Sequence, residues 1–587
     1  MAKAKRLKPA EVRALIEQSS SDNDDSDDDV EDDDWESSEL EDLGTADNTQ
    51  SDTDAADDDS DVTDDDSSAV EWREWSDSSL KVHPFTVQRP GVQFGGPNVP
   101  ENELAFFQLF FTDELLSEIV AETNRYASEK LRGRQLARQS IWRKWTDVSL
   151  EEMKAYFGMI LNMGLNAKAD VKHYFSRQWI DFQPFFGDVF SRNRFLQIHW
   201  MLHVSPPVAD PGVLSRGCKV KNVVTYLKPR LLQHFIPSKE ICVDESTVSF
   251  KGRVAWKMYN PQKPTKWGLR VYTLCDSQTG YVCTFEPYYG AATTHQLPYP
   301  SHQFAPRIVL HLIDQLLQAA DGTGYHLFTD RYYTGCILAE ELYKRQVHLT
   351  GTIMKNRAGL PVAVKKKLKL KQQETKTWVK GDSMTCLVWQ DKRQVLMLST
   401  YYNGSVQEIE RRTKKGPEKV SKPTMIIDYT QNMGGVDRVD HYISSYAFMK
   451  KSLKWWRKLF YWLLEVAVVN SFILFQQSDT ASDATHLQYR RNLISQLVGD
   501  IRNQDRNRKG RPSTTDREER LNKKPHFPDQ LPDGKLRDCA VCSNRKVHGG
   551  RRQTVYICKT CTRKPGLHPG RCFEIYHTVK DYKPTGN

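Results

Sequence analysis

The stretch Glu240-Ile-Cys-Val-Asp-Glu-Ser-Thr-Val-Ser-Phe250 decides the fold. Its short apolar run followed by alternating polar and apolar residues predicts a β-strand. Downstream, turn residues separate further strand patterns from stretches with helical periodicity. The expected elements that follow are strands over 269–275 and 281–285 joined by a hairpin turn, a helix over 306–320, a strand over 325–328, a helix over 337–345 and a strand over 347–353. This order predicts a mixed α/β layer within a multidomain α/β protein.

Charge is distributed very unevenly along the chain. The 587 residues carry a formal net charge of +8, but residues 21–66 contain 24 acidic and no basic side chains. The other 541 residues therefore carry +32. Such a basic body favours a polyanionic partner, above all nucleic acid, over a soluble basic surface without one.

The N-terminal region 1–95 is expected to be disordered because it is rich in Asp and Ser and poor in apolar residues. It either covers the basic body or serves as a solubilising tail, and composition favours neither. The start of the chain has no apolar segment typical of a secretory signal. The apolar run 459–475 contains Glu465 and Asn470, so we interpret it as a buried core helix rather than a membrane span.

Patterns of periodicity divide the rest of the chain into regions. Helical spacing dominates the segment before the first strand, and a β-rich basic segment interrupts the α/β pattern before helices resume. The boundaries are a helical region over 96–238 with a return segment 447–520, an α/β region over 239–356 and 424–446, a β-rich insertion over 357–423, a linker over 521–535 and a cysteine-rich region over 536–587.

Four aspartates stand out by position. Asp244 lies inside the first strand, Asp330 ends the strand His326-Leu-Phe-Thr-Asp, and Asp437 and Asp440 lie one turn apart at a helix start. A carboxylate in or beside a core strand is costly unless it is paired or metal-bound. Aspartates on separate elements of one layer can converge on two Mg²⁺ ions for phosphoryl transfer. The alternative is that each one caps a helix or ends a strand.

Five cysteines crowd into the end of the chain. Cys539-x2-Cys542 and Cys558-x2-Cys561 are separated by fifteen residues, and paired thiolates at that spacing indicate zinc. Cys572 and His577 follow. One interpretation is a single zinc site of four cysteines with bystander histidines.

A set of motifs from about residue 95 to the end, in order, resembles the piggyBac family of DNA transposases. The stretches that carry the resemblance are Phe110-Phe-Thr-Asp-Glu, Ser191-Arg-Asn-Arg-Phe, Val243-Asp-Glu-Ser, Phe250-Lys-Gly-Arg, Lys257-Met-Tyr-Asn-Pro-Gln-Lys-Pro, Gly268-Leu-Arg-Val-Tyr-Thr-Leu-Cys-Asp-Ser, Thr329-Asp-Arg-Tyr-Tyr-Thr, Gly351-Thr-Ile-Met-Lys-Asn-Arg, Tyr429-Thr-Gln-Asn-Met-Gly-Gly-Val-Asp-Arg-Val-Asp, Asn470-Ser-Phe-Ile and Cys572-Phe-Glu-Ile-Tyr-His.

The resemblance implies an RNase H-like catalytic domain with a β-rich insertion, a helical dimerisation and DNA-binding domain, and a cross-brace zinc domain. Asp244, Asp330 and Asp437 fall on the family's catalytic, Mg²⁺-binding aspartates, and Asp440 on a further acidic position. One departure is Arg331, where the family usually has Asn. It puts a cation beside a metal ligand.

The resemblance also implies contacts with DNA. The segment 250–267 mixes cations with aromatic residues, as surfaces that track phosphates and stack bases do. Trp455 falls on a tryptophan near the cleaved end, where it either stacks on an unpaired base or packs in the core beside Trp456. The positions that the resemblance places near DNA are Lys251, Arg253, Met258, Tyr259, Lys355, Arg357 and Trp455.

For the zinc domain, the resemblance puts His568 at the place of a ligand cysteine. That gives seven ligands where two closed sites need eight. Asp581 is the preferred eighth ligand, and His548 is the other candidate.

The sequence thus predicts a nuclear piggyBac-type transposase that acts as a homodimer on double-stranded DNA. We expect Mg²⁺-dependent cleavage, hairpin formation and strand transfer at TTAA sites. The alternatives are a domesticated DNA-binding protein that has lost cutting activity, and a chromatin reader that works through the zinc domain.

Overall fold

The computed structural model describes residues 71–76, 79–96, 99–207, 216–261, 263, 265–366, 368–413, 416–448, 452, 454–478, 483–502, 520–522, 524–544, 549–580 and 582. The chain forms two compact units that divide between Arg502 and Asn503.

The β-strands are numbered in chain order. They are β1 Trp72–Glu74, β2 Gly91–Val92, β3 Phe235–Ile236, β4 Glu240–Ser249, β5 Met258–Tyr259, β6 Trp267–Asp276, β7 Val282–Pro287, β8 His326–Thr329, β9 His348–Thr352, β10 Thr375–Lys380, β11 Met384–Gln390, β12 Gln394–Ser399, β13 Val406–Thr413, β14 Gly416–Pro423, β15 Pro528–Gln530, β16 Arg537–Asp538, β17 Gln553–Thr554 and β18 Tyr556–Cys558.

The α-helices are numbered in the same way. They are α1 Glu103–Gln108, α2 Asp113–Leu131, α3 Leu150–Leu165, α4 Pro184–Val189, α5 Arg192–Met201, α6 Cys218–His234, α7 Ala291–Gln296, α8 Phe304–Ala319, α9 Cys336–Lys344, α10 Val362–Lys365, α11 Thr424–Asn432, α12 Gly435–Tyr446, α13 Trp455–Gln477, α14 His486–Val498 and α15 Arg571–Thr578.

A mixed sheet forms the centre of the first unit. Its strand order is β1-β10-β11-β12-β9-β8-β4-β6-β5, and β7 also pairs with β6. β4 is antiparallel to β6 and parallel to β8, and β8 is parallel to β9. The order β7-β6-β4-β8-β9, with three antiparallel strands followed by two parallel ones, is the RNase H-like arrangement. The predicted fold class is confirmed.

Two predicted boundaries need correction. Strands β10 to β12 continue the central sheet beyond β9 because β12 pairs with β9, so the segment 357–423 is not a separate layer; only β13 and β14 form their own hairpin. Residues 72–74, inside the region expected to be disordered, form β1 on the edge of β10. Gly91 and Val92, in the same region, form β2 and pair with β3, and Val87 is buried. The expectation for residues 1–70, 77 and 78 lies outside the described residues.

Local sequence explains where the helices begin. The side chains of Thr112, Ser149 and Ser191 accept hydrogen bonds from backbone N–H groups in the first turns of α2, α3 and α5. Ser149 and Glu152 form a complete capping box. Backbone N–H groups in the first turn of a helix have no partner within the helix, and these side chains accept their hydrogen bonds.

Helix α13 runs through the core of this unit. It is long and apolar enough to span a membrane by composition, but 94% of its most apolar window is buried inside the fold. Its polar residues have partners: Glu465 pairs with buried Arg490, and the Asn470 amide exchanges two hydrogen bonds with the backbone of Val282 at 2.9 and 3.0 Å. The helix therefore behaves as the expected core helix.

The second unit is small and has few buried apolar residues. Its core consists of Cys558, Cys561, Leu567 and Tyr576. β15 pairs with β18, and β16 pairs with β17. The pairing of residues 528–530 with β18 places them inside the cysteine-rich unit, so the segment 521–535 is not a linker in front of it.

Candidate active site and metal-binding clusters

Asp244 and Asp330 lie side by side on neighbouring parallel strands. Val243 of β4 is in register with Thr329 of β8, so the residue that follows each one sits at the same level of the sheet. Both carboxylates are half-buried. Parallel pairing has thus joined two aspartates that are distant in sequence.

The environment of both carboxyls favours the neutral form. Burial, helped by the neighbouring Glu245 carboxylate, raises the pKa of Asp244 to about 8. Burial also raises the pKa of Asp330, although its Oδ1 accepts a hydrogen bond from the Tyr332 N–H at 2.9 Å. At this place each carboxyl group either takes up a proton or needs a nearby cation to offset desolvation and mutual repulsion.

Helix α12 places the other two aspartates beside the second half of β4. Asp440 accepts a hydrogen bond from the Ser246 hydroxyl of β4 at 2.7 Å, and burial raises its pKa to about 6. Asp437, one turn earlier, is exposed. Both line a cavity of about 410 Å³ between β4, α12 and α13. Asp440 is therefore the α12 aspartate that contacts β4.

Sequence reasoning missed Glu245, the neighbour of Asp244, and the two residues that contact it. Glu245 receives a hydrogen bond from the Tyr333 hydroxyl at 3.0 Å, and its carboxylate lies 3.4 Å from the Lys263 ammonium. That cation is the main reason the pKa of Glu245 is lowered despite burial. Both Tyr333 and Lys263 lie within the motifs that were recognised, but neither their composition nor their spacing indicated this contact.

Arg331 is exposed beside Asp330. The loop that carries it is fixed by Arg357, whose guanidinium donates to the carbonyl of Tyr332 at 2.6 Å. Arg357 therefore holds the loop after β8.

A surface of cations and aromatic rings follows β4. The rings of Tyr259 and Trp267 are 52% and 42% exposed and their centroids are 4.5 Å apart. The Lys257 ammonium lies 4.8 Å from the centre of the Trp267 ring. Lys251 and Arg253 are exposed on the same segment. Exposed rings with cations beside them are features of surfaces that stack bases.

The other residues that were predicted to contact DNA differ in how exposed they are. Lys355 is exposed, and its ammonium donates to Gln394 at 3.0 Å, whereas Met258 is half-buried in β5. Trp455 is only 7% exposed and packs edge to face against Trp256 and Tyr289, with centroids 5.3 and 5.9 Å away. Trp455 thus takes the core-packing alternative, and its ring is not presented to a base.

Eight cysteine and histidine residues in the second unit form two clusters. One contains Cys539, Cys542, His568 and Cys572, and the other contains His526, Cys558, Cys561 and His577, with the ligand atoms of each within 4.8 Å of one another. Four sulfur–nitrogen pairs within these clusters lie 3.4 to 3.6 Å apart. Tetrahedral zinc places such ligand atoms roughly 3.6 Å apart.

Two of the three histidines, His568 and His577, are oriented as zinc ligands usually are. Nδ1 of His577 lies 2.7 Å from the carbonyl of Phe573, which leaves Nε2 for the cluster. His568 faces its cluster with Nδ1 and has Nε2 3.1 Å from the carbonyl of Gln553. A carbonyl on the second nitrogen fixes the tautomer that can bind a metal.

His526 is the eighth ligand position, and sequence reasoning missed it. It precedes the first cysteine pair and falls inside the predicted linker, so no ligand spacing signalled it. The predicted eighth ligand, Asp581, and its rival His548 lie outside the described residues. The pairs interleave along the chain, as in a cross-brace.

Both units of the chain match known protein families. The family model described as Transposase IS4 matches residues 102–472, and a DDE_Tnp_1-like zinc finger model matches residues 523–578. PiggyBac transposable element-derived protein 3 of Homo sapiens is 25% identical over 519 residues, which is 86% of this chain and 81% of that protein. The chain belongs to the piggyBac transposase family.

Further comparisons agree with membership of the piggyBac family. PiggyBac transposable element-derived protein 5 of Homo sapiens is 24% identical over 430 residues, which is 70% of this chain and 79% of that one. The fold is similar to that of a piggyBac transposase solved by cryo-electron microscopy as a synaptic complex with hairpin DNA. That match has a TM-score of 0.62 and 23% identity, and it covers 72% of this chain and 86% of the other.

Proposed function

We propose that the protein is a nuclear cut-and-paste DNA transposase that cleaves, forms hairpins and transfers strands at TTAA sites. The observation that carries the proposal is the juxtaposition of Asp244 and Asp330 on parallel strands. Asp437 and Asp440 line a cavity beside the following residues of β4. This arrangement fits a family whose members carry aspartates at these positions.

The donor set fits Mg²⁺. Burial raises the pKa values of Asp244 and Asp330, and a hard cation bound by their oxygen atoms would offset the cost of keeping both carboxylates charged. Asp244, Asp330 and Asp437 would hold two ions, with Asp440 beside them. When bound, the ions would lower the pKa of the attacking water and stabilise the leaving oxygen of an in-line displacement.

The chain's own residues orient this site. The Tyr332 N–H fixes the Asp330 carboxylate, the Ser246 hydroxyl fixes Asp440, and Lys263 with Tyr333 restrains Glu245. Lys251, Arg253, Tyr259 and the exposed Lys355 would bind the DNA backbone and bases beside the carboxylates. Action on two transposon ends favours a homodimer.

The second unit would bind two structural zinc ions, one in each cluster. Thiolate and imidazole ligands in closed sets of four are typical of structural zinc. By family resemblance, this unit binds the terminal repeats of the transposon.

An excision assay tests the proposed activity. The full-length protein, loaded with zinc, is incubated with Mg²⁺ and with the TTAA-flanked repeats that border its gene, and Asp330→Asn is the matched control. We expect Mg²⁺-dependent, hairpin-ended products with the wild type and none with the control. Cleavage by both proteins, or by neither, would refute the proposal.

A domesticated, non-cutting DNA-binding protein is the second candidate. Arg331 favours it because a cation beside Asp330 competes with a metal ion for that carboxylate, and the human relatives are described as transposable element-derived proteins. DNA binding without cleavage supports this candidate, and Arg331→Asn would then be tested for restored cutting.

A further inference from the structure

A strongly basic loop projects from the helical part of the first unit. Residues 130–144 contain six Lys or Arg side chains and no acidic one. Arg132, Arg138 and Lys144 are exposed, and among the described residues no carboxylate pairs with these three. Arg143 braces the loop, since its guanidinium donates to the carbonyls of Leu136 and Ala137 at 2.8 Å. We call this segment the basic loop.

An apolar turn projects from the same part of the molecule. Trp179, Ile180 and Phe182 are 89%, 71% and 55% exposed. The turn is ordered because Asp181 donates its N–H to the carbonyl of Gln178 at 3.0 Å and pairs with Lys168 at 3.2 Å. Exposed apolar side chains grouped on a braced turn indicate a binding surface. We call residues 179–182 the apolar turn.

Both features rest on the first turn of α5. The Arg194 guanidinium lies 5.5 Å from the ring of Trp145, next to the basic loop, and donates to the carbonyl of Thr146 at 2.8 Å. The adjacent residue, Phe195, contacts Phe175 with ring centroids 5.6 Å apart, in the short 3-10 helix before the apolar turn. The loop and the turn are therefore anchored to neighbouring residues of one helix.

We propose that the basic loop and the apolar turn together bind distorted duplex DNA. The loop would neutralise backbone phosphates, and the turn would insert Trp179, Ile180 or Phe182 between base steps. Cations give affinity through the release of counterions, and apolar side chains that wedge between base pairs kink the duplex. The inference rests on the proposed function only in taking DNA as the polyanion.

The charge of the surface argues against a second copy of the chain as the occupant. A twofold interface would place this surface against itself. The cations of one basic loop would then face those of the other, and such repulsion opposes association. Duplex DNA offers both phosphates and apolar base faces, so it satisfies both halves of the surface.

The test uses full-length, zinc-loaded protein without added Mg²⁺, so cleavage does not enter the measurement. Binding to a mixed-sequence duplex is measured at several salt concentrations. Unstacking is followed by the fluorescence of 2-aminopurine in the same duplex. The two variants are R132E/R138E in the basic loop and W179A/I180A/F182A in the apolar turn. Their controls are K219E/K221E on α6 and I337A/V362A/V406A, which change exposed cations and exposed apolar residues elsewhere.

We expect R132E/R138E to weaken binding about tenfold and to reduce the slope of log affinity against log salt by about two. W179A/I180A/F182A is expected to weaken binding about tenfold with an unchanged slope, and to abolish the 2-aminopurine signal. The inference is overturned if either variant matches its control, or if the apolar variant alters only the oligomeric state. Wild-type protein that binds and unstacks DNA without cutting in the excision assay would support this inference and refute the proposed activity.

Discussion

The carboxylate site and the zinc clusters are built in opposite ways. At the carboxylate site, a large apolar core and the register of β4 with β8 hold the aspartates together. In the second unit, four buried residues form the core, and two of them are cluster cysteines. In the first region the folded sheet and core position the carboxylates, whereas in the second region the cluster ligands stabilise the folded structure.

This difference predicts how each region responds to the loss of a ligand. A sheet buried on both sides retains its fold when one carboxylate is neutralised, because that carboxylate costs free energy where it stands. A unit of this size has too little apolar surface to fold alone and depends on bound metal.

The largest effect is expected for His526→Ala in the second unit. Bound zinc should fall from two ions to one per chain, because the variant keeps only three ligands of one cluster. Residues 520–582 should become sensitive to protease, since structural zinc contributes about 10 kcal/mol to such folds. Metal analysis and limited proteolysis measure this. Asp581→Ala is the control and should keep two ions; zinc loss in that variant instead would show that His526 is not a ligand.

Asp244→Asn tests the carboxylate site. Strand cleavage should fall by roughly 10³-fold or more, because a metal ligand contributes several kcal/mol to transition-state stabilisation. The Tm and the affinity for transposon ends should not fall, since burial disfavours the charged form of Asp244 and asparagine carries no charge. Cleavage, thermal unfolding and end binding are measured on the same preparation. A lower Tm or lost binding would mean that Asp244 has a structural role.

Asn470→Leu tests how far the large core tolerates a polar loss. The variant leaves the N–H and the carbonyl of Val282 without their side-chain partner, which costs roughly 3 kcal/mol. Denaturant unfolding should show this loss in a protein that remains folded. Gln476→Leu, at an exposed position of the same helix, should leave stability unchanged, and equal stability of the two variants would contradict the account.

The smallest effect concerns pH. In the folded protein the pKa of Asp244 is about 8, against an ordinary value of 3.8, so the folded state holds a proton that the unfolded state releases. Stability from this group is complete below pH 4 and is lost as the pH rises to 8. The Tm is measured without Mg²⁺ at pH 6 and at pH 8. The drop in Tm between these two pH values should be about 2–4 °C larger for the wild type than for Asp244→Asn. Equal drops would show that Asp244 does not carry the effect.

Much of the fold followed from local sequence. The alternation in 240–250 and the hairpin turn after residue 275 predicted β4, β6 and β7, and helical periodicity predicted α8 and α9. These signals are local because strand and helix periods involve residues that are close in the chain. The extension of the sheet through β12 was not predicted, because pairing of β12 with β9 depends on residues nearly fifty positions apart.

The sequence by itself determined much of the secondary structure, the family and the chemical types of the ligands, since periodicity, turns and cysteine spacing are properties of neighbouring residues. The tertiary structure decided that Asp440 contacts β4 while Asp437 is exposed, that Trp455 is buried, and that His526 joins Cys558, Cys561 and His577. Each of these three outcomes depends on contacts between segments that are distant in the sequence. Core packing or the geometry of a ligand cluster determines which of those contacts form.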